Sequence, residues 1–354
     1  MKMKTQILKI NPQKPEADKI AYAAQVLREG GTVAFPTETV YGLGADALNE
    51  TAVRKIFEAK GRPADNPLIV HVSSISAVDK LVDEIPEAAK KLMDAYWPGP
   101  LTIVMQKKSR VPDVITAGLN TVAVRMPSHP IAYRLIEAAG IPVAAPSANI
   151  SGKPSPTVGQ HVIDDLLGRV DMIIDGGSAQ VGLESTVIDV TGEKPLLLRP
   201  GGITHTQLKR LLGAVDIDAG VTEKLKENIV PRSPGMKYSH YSPKAEVIVV
   251  EGKRKNVIAR INRLAQENQK RGLKVGVLAM SDTIALYNAD RVLTAGDENR
   301  PETVAANLFY CLRAFDAAGV DIIYAQSVAD REIGMAIRNR LHKAAGYQII
   351  SADG

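Results

Sequence analysis

The chain is short of cysteine, of aromatic residues and of long apolar runs, and each shortage narrows what it can be. One cysteine, Cys311, stands among 354 residues, so no internal disulfide can form and no cysteine-based metal cluster can be built. A reducing, cytoplasmic setting is expected. No stretch reaches the roughly 18 to 20 unbroken apolar residues that a membrane helix needs, and the opening MKMKTQILKINPQKPEADK carries no apolar signal core. With aromatics at 4%, a single-strand-binding surface of exposed stacking rings is poorly supplied. Charge of one sign is also scarce. The formal net charge is +5, and cutting the count at residue 205 leaves 22 Lys+Arg against 22 Asp+Glu before the cut and 22 against 17 after it. That modest, spread excess reads as an ordinary solvated surface. No G-x-x-x-x-G-K-[ST] loop, no H-E-x-x-H pair and no G-x-S-x-G elbow occurs, so a P-loop, a built-in zinc and a serine-hydrolase nucleophile are not expected.

What is present is regular. The length suits two domains, and 45% apolar with 23% charged residues is typical of soluble globular protein. In the first part, KIAYAAQVLREG and NETAVRKIFEAKG have helical spacing with glycine stops, and GTVAFP, NPLIVHV, LTIVMQ, TVAVRMP and IPVAAPSAN read as strands. The close spacing of strands after residue 100 predicts a mixed, partly antiparallel sheet. After a looser stretch, EVIVVEG, VIARINRLAQENQKRG, KVGVLAM, TVAANLFYCLRAFDAAG and DIIYAQ alternate strand and helix. That order predicts a small, parallel, doubly wound unit without a glycine fingerprint, a covering or regulatory domain.

Chemistry-bearing residues gather at element ends. GLGADA fits G-x-G-x-x-A, but the next strand ends in histidine and serines instead of an acidic residue, so the glycines are read as a tight turn beside a ligand rather than a dinucleotide site. In FPTETVYGLG the hydroxyls of Thr37, Thr39 and Tyr41 alternate along what reads as an extended segment, on one face. Lys60 and Arg62 project from the helix-breaking GRP, with Asn66 before the next strand and His71 near its end, a set suited to phosphate. Arg125 closes an apolar strand and points to the strand-end crevice where open sheets bind anions. The proline-pinned loop APSANISGKPSP offers Ser147, Asn149, Ser151 and Ser155 in restricted positions, while Ser185, Thr186 and Arg199 end the last strand pair. Clustered cations and hydroxyl donors without a nucleophile favour binding and polarising a polyphosphate, with Mg²⁺ carried on the nucleotide. The residues alone support an ATP-using enzyme acting on a small polar substrate.

The ordered set PTETVYGLG, KGRPADNPLIVHV, WPGPLT, VAVRMP, PSANISGKPSPT, GLESTVID and LLRPGG, followed by SPGMKYSHYSP and a small α/β unit, closely resembles the long, two-domain form of the threonylcarbamoyl-AMP synthase family. The resemblance covers nearly the whole chain. It implies an α/β fold, with a twisted mixed-sheet YrdC-like catalytic domain over 13–205, a linker and active-site lid over 206–243, and a small Rossmann-like parallel α/β domain over 244–350. It implies that L-threonine, bicarbonate and ATP give L-threonylcarbamoyl-adenylate and pyrophosphate. A downstream threonylcarbamoyl transferase complex would then modify tRNA beside the anticodon. By motif position, Thr39, His71, Arg125 and Ser185 would surround threonine, with Arg125 facing its carboxylate. Lys60, Arg62, Asn66, Thr121, Ser147, Asn149, Ser155 and Arg199 would surround ATP, with Lys60, Arg62 and Arg125 catalytic. Pro234, Tyr238, His240 and Tyr241 would belong to the lid. Two rivals are an RNA-binding module of the same fold, which the neutral first domain and few aromatics disfavour, and a carbamoyl-transferring hydrogenase-maturation enzyme, whose zinc fingers a single cysteine cannot supply.

Overall fold

The structure, a computed structural model, describes residues 3–223 and 241–353. These residues divide into two compact units, one formed by 3–151 and 155–223 and the other by 152–154 and 241–353.

The first unit contains strands β1 (Gln6–Lys9), β2 (Val33–Phe35), β3 (Gly42–Asp46), β4 (Ile69–His71), β5 (Leu101–Gln106), β6 (Thr121–Arg125), β7 (Val143–Ala144), β8 (Met172–Asp175), β9 (Thr186–Asp189), β10 (Leu196–Arg199) and β11 (Asp216–Ile217). Its helices are α1 (Ala17–Arg28), α2 (Glu50–Lys60), α3 (Ile75–Val78), α4 (Glu87–Tyr96), α5 (Asp113–Thr116), α6 (Pro130–Ala139), α7 (Gly159–Leu166), α8 (His205–Leu212) and α9 (Ala219–Thr222). The strands join in the order β1-β8-β2-β3-β7-β4-β6-β5-β9-β10-β11. Parallel pairs such as β4 with β6 and β5 with β9 alternate with antiparallel ones such as β5 with β6 and β9 with β10. The mixed sheet expected after residue 100 is therefore present, but antiparallel pairing begins earlier, between β2 and β3.

Helix ends follow local chemistry. The Asn49 side chain accepts from the backbone N–H of Ala52 to open α2, and Gly61 closes it with φ 61°. Thr204 and Gln207 form a reciprocal capping box on α8. Helices α1 and α6 bury Ile20, Leu27, Leu135 and Ile136 against Val33, Phe35, Met172 and Ile174. The G-x-G of GLGADA is no turn, since Gly42 and Gly44 lie within β3. A Cβ on Gly44 would stand 2.7 Å from the Phe35 ring and 2.8 Å from Val143, so close packing across the sheet excludes a side chain there.

The second unit is a five-stranded, all-parallel sheet of β12 (Glu246–Glu251), β13 (Val275–Met280), β14 (Arg291–Gly296), β15 (Ile322–Gln326) and β16 (Ile349–Ser351), ordered β14-β13-β15-β12-β16. Helices α10 (Arg254–Lys270), α11 (Pro301–Ala318) and α12 (Ile333–Ala344) connect them. Strand β13 is buried along its whole length, as a covered parallel strand should be. Strands β14 and β16 and helix α12 go beyond what the sequence pattern predicts for this unit. Among the described residues no helix is long and apolar enough to cross a membrane.

Candidate active site

Arg125 ends β6, and the strand register places it beside His71 on β4 and Thr102 on β5. The residue is only 3% exposed, so its charge needs a counter-charge close by. Nε donates to the Gly99 carbonyl at 3.2 Å and Nη1 to Thr39 Oγ1 at 2.9 Å. Nη2 lies 2.7 Å from Glu38 Oε1 in an ion pair buried on both sides. Burial works against the Glu38 carboxylate's charge, yet the Arg125 charge and hydrogen bonding hold its pKa below the usual value. Glu38 was not among the expected site residues.

The loop that presents Thr39 departs from expectation. Residues 36–41 form no strand, with a bend at 38–40, and the three hydroxyls part company. Thr37 Oγ1 donates to the Val40 carbonyl at 2.6 Å and meets Thr39 Oγ1 at 2.8 Å. With its own proton used, Thr37 must accept from Thr39, whose oxygen in turn accepts from Arg125. The hydroxyl relay thus runs in one direction and orients Thr39. Tyr41 turns elsewhere, donating to the Gly177 carbonyl at 2.6 Å.

His71 is 3% exposed, and its Nδ1 is buried without a hydrogen-bond partner. Burial, reinforced by the Arg125 charge, lowers its pKa to about 3, so the imidazole is neutral near pH 7. Ser185 precedes β9; its Oγ lies 2.7 Å from Thr102 Oγ1 and accepts from Arg199 Nη2 at 3.1 Å. Arg199 Nε also donates to the Ser185 carbonyl at 3.0 Å. Through the Thr102–Arg125 register pair, Thr39, His71, Arg125, Ser185 and Arg199 form one buried polar group. Thr102 is a second member that sequence reasoning missed.

The expected ATP residues are built differently from one another. Lys60, the last residue of α2, is 2% exposed and does not project from a loop. Its ammonium donates to the Ser147 carbonyl and, at 2.7 Å, to that of Asn149. Arg62 donates to the Asn66 carbonyl at 2.9 Å and lies over the Phe57 ring at 5.9 Å. Asn66 is fully buried, yet neither its amide nitrogen nor its oxygen has a hydrogen-bond partner. An unmet buried amide costs about 1–3 kcal/mol per group, so this one calls for a water or a ligand as its partner. Ser147 Oγ donates to Asn149 Oδ1 at 2.5 Å, and Ser155 Oγ donates to Glu184, the neighbour of Ser185. Thr121 opens β6 and lies on the same face as Arg125 but about 13 Å along the strand. It shares no side-chain hydrogen bond with the other candidates among the described residues.

Of the expected lid, Pro234, Tyr238 and His240 lie outside the described residues. Tyr241 is buried in the second unit at φ 68°, stacked on Phe309 at 5.0 Å with the Arg340 guanidinium 5.7 Å from its ring. Among the described residues no group of three or more His, Cys, Asp or Glu is placed to hold a metal ion.

Known proteins match this arrangement along nearly the whole chain. A family model described as "Telomere recombination" matches residues 25–201, and one described as "Threonylcarbamoyl-AMP synthase, C-terminal domain" matches residues 203–346. The threonylcarbamoyl-AMP synthase of Pyrococcus abyssi is 53% identical over 332 residues, 94% of this chain and 95% of that one. The enzyme of that name from Bacillus subtilis is 51% identical over 333 residues, 94% of each chain. The crystal structure of P. abyssi Sua5 complexed with L-threonine superposes with a TM-score of 0.93 at 51% identity, covering 98% of this chain and 99% of that one.

Proposed function

Since the chain belongs to the threonylcarbamoyl-AMP synthase family, we propose that it is a nucleotidyltransferase that joins L-threonine, bicarbonate and ATP into L-threonylcarbamoyl-adenylate and releases pyrophosphate. The observation that carries this reading is the coexistence of a charge-paired Arg125 ringed by hydroxyls with an unsatisfied, fully buried Asn66 nearby in sequence to Arg62. One half suits an amino acid and the other a nucleotide.

Threonine is a zwitterion, and the neutral Arg125–Glu38 pair matches it, with the carboxylate toward Arg125 and the ammonium toward Glu38. Thr39 and Ser185, both held by arginines, supply oriented hydroxyls, and neutral His71 can share a hydrogen bond without adding charge. The amine nitrogen bonds the bicarbonate carbon as water leaves, and the ammonium proton passes to solvent. A carbamate oxygen then bonds the α-phosphorus while the bond from that phosphorus to the bridging oxygen breaks and pyrophosphate departs. Positioning and charge neutralisation dominate such a displacement. Arg62 and Arg199 meet the phosphates, Mg²⁺ arrives with the nucleotide, and Lys60 acts through the 147–149 loop it holds. We place the enzyme in the cytoplasm, supplying a transferase complex that carries the threonylcarbamoyl group to tRNA.

The test is pyrophosphate release from ATP. It should require both L-threonine and bicarbonate, and equal turnover without threonine rules the assignment out.

A further inference from the structure

The loop from Ala145 to Thr157 carries three of the proposed ATP contacts, Ser147, Asn149 and Ser155, and its hydrogen bonds can be followed through its whole length. Its first limb is held by Lys60, on the carbonyls of Ser147 and Asn149, and by the Ser151 N–H donating to the Lys60 carbonyl at 3.0 Å. Its last limb is held by Ser155 on Glu184 and by the Tyr41 N–H on the Pro156 carbonyl at 2.9 Å. Between them the crest, Gly152–Pro154, leaves the first unit and belongs to the second. There the Ser242 N–H donates to the Gly152 carbonyl at 2.9 Å. Arg313 of α11 sets both prongs of its fork on the Pro154 carbonyl, Nε at 3.0 Å and Nη2 at 2.7 Å.

A two-pronged, charge-assisted grip on one carbonyl is stronger and more directional than a neutral bond. It falls on the residue covalently next to Ser155. Phe309, one helical turn before Arg313, stacks on Tyr241, the neighbour of Ser242, so one face of α11 holds both anchors of the crest. We propose that Arg313 is a positioning residue for the nucleotide loop: the second unit fixes Pro154, and thereby sets where Ser155 meets ATP. The proposal rests on the reading above that this loop holds ATP.

The test compares full-length Arg313→Ala, Arg313→Gln and Arg313→Lys with the parent chain by pyrophosphate release, by direct ATP binding in calorimetry and by amide hydrogen exchange over residues 147–160. In Arg313→Ala, exchange over this segment should quicken and the KM and Kd for ATP should rise about tenfold, with the threonine KM within twofold. Lysine, which keeps the charge but loses the fork, should recover part of that loss. Should the alanine variant fail to fold, Arg313→Gln carries the same expectation. Unchanged exchange, or equal rises in the ATP and threonine constants, overturns the positioning role. A parent chain that binds ATP tightly, beside a variant with loosened loop and undiminished ATP affinity, overturns it too. If the parent chain itself binds no ATP, it is the assignment of the loop to ATP that has failed.

Discussion

At the scale of single residues, charge balance decides what the site can bind. Arg125→Ala would strand Glu38 as a buried, unpaired carboxylate and remove the donor to Thr39; the threonine KM should rise on the order of a hundredfold, far more than that for ATP. Equal losses for both substrates in steady-state kinetics would show that Arg125 serves both. Glu38→Gln keeps the shape and removes the charge, and should raise the threonine KM about tenfold while leaving ATP affinity unchanged in a binding titration. His71 gives a pH signature. Its folded pKa of about 3 lies below the ordinary 6.5, so between these values the unfolded chain takes up a proton that the native chain refuses. Its contribution is complete above pH 6.5 and is lost as pH falls toward 3, at about 1.4 kcal/mol per pH unit. Glu38, also lowered, acts in the same direction from the ordinary carboxylate value of 4.5 downward. Urea unfolding at pH 7 and pH 5 should therefore show a smaller acid loss in His71→Asn than in the parent chain. Arg125 and Arg199 were legible in sequence because each is a charge closing an apolar strand. Glu38 and Thr102 were not, because Glu38 reaches Arg125 from a bend distant in sequence and Thr102 neighbours it only through the pairing of β5 with β6.

At the scale of elements, the antiparallel pair β9–β10 sets Ser185, just before β9, beside Arg199 at the end of β10, and the turn after it leaves no room. A Cβ on Gly201 would stand 2.3 Å from the Thr186 nitrogen and 2.7 Å from the Glu184 carbonyl, whereas on Gly202 it would meet only side-chain atoms of Pro100 and Val181 at 3.2 Å or more. Gly201→Ala should push the Glu184–Thr186 segment aside, destabilise the protein by about 1–3 kcal/mol and raise the threonine KM. Gly202→Ala should do much less. Denaturant unfolding together with kinetics separates the two. The same crowding explains why GLGADA misled: its glycines serve packing inside β3, and a pattern of glycines alone does not distinguish a turn from a close approach. The residues of β14, Arg291–Gly296, are largely partly exposed or exposed until its last two, and β16 is three residues long with none buried. Edge strands of that kind carry too weak a hydrophobic period to be seen in sequence, while the half-buried β12 and the fully buried β13 and β15 stood out.

At the scale of the whole molecule, each unit has an interior of its own, one built around Phe35, Leu27 and Met172 and the other around Ile261, Val277 and Tyr324. A fragment of residues 241–354 should accordingly unfold cooperatively in urea, followed by circular dichroism; a gradual loss of signal would show that its core is incomplete. The two-domain plan was readable because strand and helix alternate regularly after residue 244. The membership of Gly152–Pro154 was not, since nothing in a serine- and proline-rich stretch reveals which body it will join. That split membership has a consequence for inheritance. A chimaera of two relatives, joined anywhere between the described portions of the units, would pair one parent's α11 with the other parent's crest. Such a junction requires that both parents hold the crest's backbone carbonyls in the same place far upstream of it, so the boundary of this second unit is a set of positions rather than a point in the chain.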